Sequence, residues 1–227
     1  MAEPPAASTI CYLCAQPLVE PTDVDHVPAK CFFAPSIRRA LNLSQLITIR
    51  VHRHCNHSFR LDEEYFLYSL VPLALGSTAA NEAYKRIREK FRRMKNRPLV
   101  MQILKEFEPR TGGLVLPGGK VLKRFNPNRI ERVIWKIVRG LFFRHHGKTL
   151  PEKLELTWTF TGPDDGPPPK EFQMFTANHP SYGDYPGVFA YQFDAYPEVT
   201  PTVHYWTLLF WDKIIITAAF GHTVDEL

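Results

Sequence analysis

The sequence predicts an α+β protein in three parts: a small metal-pinned N-terminal unit, a basic helical middle, and a C-terminal α+β sheet module. Three observations carry this. Two pairs of metal-ligating residues, Cys11 with Cys14 and His52 with Cys55, bracket a loop-rich stretch. Apolar residues recur at helical spacing within residues 79–96 and 127–144. Beyond Pro151 the chain turns to runs of aromatic and β-branched residues, the composition of strands.

With 227 residues, 44% hydrophobic and 22% charged, the chain has material for a real core and too much of it for disorder. No apolar run approaches the ~18–20 residues that cross a bilayer. The opening MAEPPAASTI has neither the basic nor the apolar region of a signal peptide, so a cytoplasmic protein without membrane contact is expected. Four cysteines in such a chain read as metal ligands or buried thiols sooner than as a disulfide framework.

Taken in order, residues 1–9 are rich in Ala, Pro and Ser and form a flexible N-terminus. Residues 10–75 make the first unit: a CYLC knuckle, the extended VEPTDVDHVP stretch, a strand at LITIRV, and a helix over 54–74 that is free of Gly and Pro until its last turn. Residues 76–110 are a basic helical segment. Ser77 or Thr78 caps a helix over 79–96 that buries Tyr84, Ile87, Phe91 and Met94 and turns its basic side chains outward.

Residues 111–227 are a C-terminal α+β domain without a catalytic signal. It opens with a hairpin over 113–125 that turns at Pro117-Gly118-Gly119. The helix over 127–144 buries Ile130, Val133, Ile134, Ile137, Val138 and Leu141, while Arg129, Arg132, Lys136, Arg139 and Arg144 extend the basic surface. LELTWTF, VFAYQFDAY, VHYWTLLF and KIIITAAF follow as strands, the last two joined at Trp211-Asp212-Lys213.

The formal charge of +5 is unevenly spread: residues 1–50 sum to 0, residues 51–150 to +13 and residues 151–227 to −8. A middle this basic is a candidate polyanion surface, with Lys85, Arg88, Arg92 and Lys95 as candidates for phosphate contact. The acidic C-terminal part is a candidate for a protein partner or self-association instead.

Cys11 and Cys14 lie on one tight turn and can grip a tetrahedral ion from one side. His52 and Cys55 supply the second pair about 40 residues on, with His54 or His57 as alternatives to His52. Three thiolates and an imidazole point to structural Zn²⁺. Cys31 has no partner at ligand spacing and reads as a buried thiol beside Phe32 and Phe33.

Between the pairs lie Asp25 and His26: a hard carboxylate for Mg²⁺ or Mn²⁺, and a base with a pKa near 7 to deprotonate water. Neighbours in a regular strand face opposite ways, so the two cooperate only at a strand end or bend, which Pro28 favours. Asn56, just after the last zinc ligand, projects an amide oxygen from the first helical turn. Glu63 and Glu64, at i+7 and i+8 from it, read as a solvated acidic turn.

The order C-x2-C, DHVP, strand, H-x2-C-N, helix resembles the HNH endonucleases, the His-Me finger or ββα-metal family, in its zinc-bearing branch. Residues 11–66, about a quarter of the chain, carry the likeness through CYLC, DVDHVPAKCFF and LITIRVHRHCNHSFRLDEEYF. The resemblance implies a ββα-metal subdomain in which Cys11, Cys14, His52 and Cys55 hold structural zinc. Asp25 and Asn56 would hold a catalytic Mg²⁺ or Mn²⁺, and His26 would be the general base for hydrolysis of DNA. Arg60, one turn from Asn56 on the same face, would hold a phosphate.

Two positions depart from the family. His52 stands where a cysteine is usual and keeps a ligand there. Gln45 replaces the middle Asn that braces the loop bearing the base, unless Asn42 reaches the same place. The expected function is a metal-dependent endonuclease acting on double-stranded DNA. The alternative is a non-catalytic, zinc-stabilised nucleic-acid-binding or regulatory module.

Overall fold

The computed structural model describes residues 9–42, 46–93, 97–108, 110–111, 114–115, 122–150, 154–163, 165–166, 170–196 and 203–221. The Pro117-Gly118-Gly119 turn, Gln45, Met94 and Lys95 lie outside the described residues.

Strand β1 (Thr22–His26) pairs antiparallel with β2 (Thr48–His52), Asp25 opposite Ile49 and His26 opposite Thr48. Between them come a 3-10 turn (Lys30–Phe32) and the short helix α1 (Pro35–Ala40), whose Pro35 suits a first helical position. Helix α2 (Arg53–Leu70) starts directly after β2, with His52 at its N-cap position, and ends in a 3-10 turn (Val71–Ala74). This two-strand, one-helix unit is the frame on which the candidate site residues sit.

Helix α3 (Thr78–Phe91) is capped by Ser77, whose hydroxyl accepts the Ala80 N–H at 3.1 Å. Its buried stripe runs through Ala80, Ala83 and Ile87, with Tyr84 and Phe91 half-buried. Helix α4 (Arg97–Lys105) follows, then β3 (Phe107–Glu108), β4 (Arg110–Thr111), β5 (Leu114–Val115) and β6 (Leu122–Lys123). The pairing differs from the single hairpin expected over 113–125. Strand β5 pairs back with β4, and β6 reaches past both to β3, where Lys123 forms an ion pair with Glu106 at 2.7 Å.

Helix α5 (Pro127–His146) follows the helical period of its apolar residues, and all six expected to be buried are buried. Asn126 caps its start and Gly147, at φ 65°, ends it in the left-handed conformation that glycine tolerates. The sheet that follows comprises β7 (Leu156–Thr161), β8 (Tyr182–Tyr185), β9 (Phe189–Tyr196), β10 (Val203–Phe210) and β11 (Ile214–Phe220), in the order β7-β11-β10-β9-β8, all antiparallel. Helix α6 (Lys170–Asn178) lies between β7 and β8 in sequence. The β10–β11 turn falls where the sequence places it, with Trp211 and Asp212 both at positive φ.

Trp206, Leu208 and Phe210 of β10 stand opposite Ala218, Ile216 and Ile214 of β11 on the buried face. This face meets α5 through Trp135 against Phe220 at 4.9 Å and Phe142 against His204 at 4.8 Å. It meets the N-terminal unit through Phe32, whose ring touches Phe66, Phe210 and Trp211. Helix α5 is thus packed against the sheet and, through its other side, against α2 and β1. At Gly140 a Cβ would come within 2.6 Å of a Val27 methyl, so only glycine lets α5 approach β1 this closely. Among the described residues no helix is long and apolar enough to cross a membrane.

Candidate functional site

Cys11 and Cys14 sit on a turn closed by Cys11 N–H to Gln16 O at 2.9 Å and Ala15 N–H to Cys11 O at 2.8 Å. His52 ends β2, and Cys55 lies in the first turn of α2. The direct passage from strand to helix therefore brings an H-x2-C pair over the C-x2-C turn. The three sulfurs and the His52 nitrogen all lie within 4.8 Å of one another. His52 Nδ1 is 3.4 Å from Cys14 Sγ and 3.9 Å from Cys55 Sγ. Zinc bonds of about 2.0–2.3 Å in a tetrahedron give ligand separations of about 3.5–3.8 Å, so the cluster fits the ion and could hold it.

The surroundings support that assignment. His52 Nε2 lies 3.0 Å from the Pro17 carbonyl. The Val19 N–H also points at Nε2, at 3.2 Å; on ligation through Nδ1 the Nε2 proton would be donated to the Pro17 carbonyl, the usual outer contact of a metal-bound imidazole. Burial, with the Cys11 and Cys14 sulfurs beside it, pushes the Cys55 thiol up to about 12. Three thiolates can gather there only around a cation. Of the alternatives to His52, His54 stacks on the His52 ring from an exposed position, its Nε2 3.3 Å from Cys55 Sγ but outside the four-residue cluster, and His57 turns to Asp23, 4.0 Å away. Cys31 stands apart from the cluster, its thiol pushed up to about 12 by burial.

Asp25 and Asn56, 31 residues apart in sequence, are brought to one point, and a cation is already there. Lys136 Nζ, from α5, lies 2.8 Å from Asp25 Oδ1 and 3.1 Å from Asn56 Oδ1, and it donates to Glu63 Oε1 as well. Asp25 and Lys136 are each only 3% exposed. The remaining valences are also used: Tyr12, inside the C-x2-C turn, donates its hydroxyl to Asp25 Oδ2, and Asn56 Nδ2 donates to Asp23 Oδ2 at 3.0 Å. The oxygens are of the type that binds a hard cation, and they do hold one.

Two expectations are corrected here. Lys136 does not extend the basic surface, because the two carboxylates draw it inward, where burial alone would make a lysine neutral. Burial lowers its pKa, but Asp25 and Glu63 outweigh that and hold it above the usual lysine value. Glu63 is not a solvated turn residue: its burial pushes its carboxyl up, against the pull of Lys136. Arg139 is buried too and donates to the Leu150 carbonyl at 3.1 Å. Arg129 and Arg132 are taken up by Asp62, at 2.7 and 2.8 Å.

His26 is the last residue of β1. Asp23 and Asp25 share the strand face toward α2, and His26 follows on the alternate face, where the chain bends away at 27–28. Burial lowers its pKa from the ordinary histidine value, and Lys30, Arg38 and Lys136 add to this against Asp25. The imidazole is therefore neutral near pH 7, the state a general base requires. Asn42, the alternative brace, sits exposed in the turn after α1 at φ 49°.

Arg60 is exposed on α2 and lines a cleft of about 490 Å³ with Lys90, Arg93 and Arg129. Lys85 and Arg88 are exposed on α3, and Arg92 is exposed at its C-cap. Lys136, Glu63 and Tyr12 are the site residues that motif reasoning passed over. The available signals were the two-turn spacing of Glu63 from Asn56 and the place of Lys136 between buried Val133 and Gly140.

Comparison with protein-family models, curated proteins and solved structures finds no match to this chain.

Proposed function

We propose that this chain is a His-Me finger endonuclease that hydrolyses phosphodiester bonds in double-stranded DNA. The observation that supports it best is the convergence of Asp25 and Asn56 on one cationic point, next in the chain to a neutral His26, in a frame the Cys3His cluster can pin. In this reading His26 takes the proton from a water that attacks phosphorus. The bond to the 3′ oxygen breaks and that oxygen takes a proton from solvent, leaving a 5′-phosphate and a 3′-hydroxyl. A Mg²⁺ or Mn²⁺ ion held by Asp25 and Asn56 would supply positive charge for the pentacovalent transition state. Arg60, Lys85, Arg88 and Arg92 would hold backbone phosphates, with binding that weakens as salt rises.

The second reading, a non-catalytic zinc-stabilised module that binds nucleic acid, draws on one specific observation: Lys136 and Tyr12 already satisfy both oxygens of Asp25. Zinc-loaded protein incubated with supercoiled plasmid and Mg²⁺ or Mn²⁺ separates the two. Nicked or linear product with 5′-phosphate ends is expected; salt-sensitive binding with no cleavage under either ion would refute the endonuclease reading.

A further inference from the structure

The oxygen cage around Lys136 is built from three elements. Asp25 comes from the end of β1, Asn56 and Glu63 from positions two turns apart on α2, and the ammonium from the middle of α5. Three oxygens meet one nitrogen, at 2.8 Å from Asp25 and 3.1 Å from Asn56 with Glu63 the third. Two carboxylates face a single positive charge, so the cage keeps an excess of negative charge. Such a cage suits a cation of higher charge than the one it holds. An ammonium and a divalent ion cannot share it, because both would bind the same oxygen atoms at a separation where like charges repel strongly.

We infer that Lys136 is the resident cation of this cage and competes with the divalent ion, which enters only as the ammonium leaves, and that Glu63 then serves as the third protein oxygen ligand. The inference rests on the proposed reading of Asp25 and Asn56 as the catalytic cation site. It assigns to α5, outside the ββα unit, control over whether that site is loaded. The aromatic ring of Phe59, which also carries Arg132, already lies 5.4 Å from Lys136 Nζ, a cation–π contact that does not depend on the cage oxygens. Removing the lysine should therefore turn a weak divalent site into a stronger one.

The test measures binding, not cleavage. Zinc-loaded full-length protein is titrated with Mn²⁺, and free ion is read by electron paramagnetic resonance. Lys136→Met should bind one Mn²⁺ per chain about tenfold or more tightly than wild type, the scale on which a neighbouring charge moves an ionic equilibrium. Adding Glu63→Gln should reverse most of that gain. If folded Lys136→Met binds Mn²⁺ no more tightly than wild type, the inference is wrong.

Because Lys136→Met leaves two buried carboxylates without a counter-charge, a second measurement uses the unaltered chain. With ¹⁵N-lysine labelling, the Lys136 ammonium should give a slowly exchanging signal, since three acceptors hold it. Added Mg²⁺ should abolish that signal; a signal that persists at every Mg²⁺ concentration the protein tolerates overturns the competition. Tighter Mn²⁺ binding by Lys136→Met with no cleavage would refute the endonuclease reading and leave the competition standing. Histidine-dependent cleavage without any gain in affinity would do the reverse.

Discussion

Gly140→Ala probes the contact by which α5 presents Lys136 to β1. The two residues are one helical turn apart on the same face. An alanine Cβ at 140 would lie 2.6 and 2.9 Å from the two Val27 methyls and 3.3 Å from the Tyr12 ring. Ordinary carbon contacts are about 3.5–4.0 Å, so the helix or the strand must yield by roughly 1 Å. Rotation of Val27 gives little relief, because both methyls face the helix and a β-branched side chain is stiff. Overpacking against two methyls at under 3.0 Å costs about 2–3 kcal/mol, the upper end of the usual range, and the better helix propensity of alanine returns about 1 kcal/mol. A net loss of about 1–2 kcal/mol should lower Tm by about 2–8 °C at this chain length. Thermal unfolding of zinc-loaded protein reads it. Val27→Ala combined with Gly140→Ala should lose less than the sum of the single losses, since the cause of the clash is gone. An unchanged or higher Tm for Gly140→Ala, or strict additivity in the pair, would refute the close approach of α5 to β1.

Further outcomes follow from the same contacts. Purified protein should hold about one zinc per chain, and chelation should unfold the N-terminal unit, seen as lost amide protection in β1, β2 and α2; retained protection without zinc would contradict a structural site. Burial holds His145 and His204 at about 4, well below the ~6.5 of an unfolded histidine. The unfolded chain therefore binds more protons in that window. Stability should be full above about pH 6.5 and fall as pH drops toward 4, so a urea midpoint that does not decrease between about pH 7 and pH 4.5 would count against their burial. The Tyr65 hydroxyl donates to Glu106 at 2.7 Å and accepts the Asn126 N–H at 2.7 Å, so Tyr65→Phe should cost about 1–3 kcal/mol in chemical denaturation.

Local chemistry made much of this protein legible from its residues alone. The 3.6-residue stripe of α5, the cap at Ser77 and the strand β11 lie within a few positions of where the sequence puts them, because each is fixed by neighbours in the chain. The Cys3His cluster was legible because ligand type and spacing are themselves the signal. What was hidden depended on partners far apart in sequence. A lysine on an amphipathic helix reads as solvated until a buried aspartate 111 positions earlier is known to face it. The pairing of β6 with β3, over the β4–β5 pair, likewise follows from long-range choice and not from the turn residues between them.

The central claim is that His26 activates the water that cleaves the phosphodiester bond. Its most direct test is the plasmid cleavage rate of wild type and His26→Ala, both zinc-loaded, at equal protein and Mn²⁺ concentration. The proposed mechanism predicts a loss of about 10²–10⁴-fold with DNA binding retained. An unchanged cleavage rate in His26→Ala would contradict it.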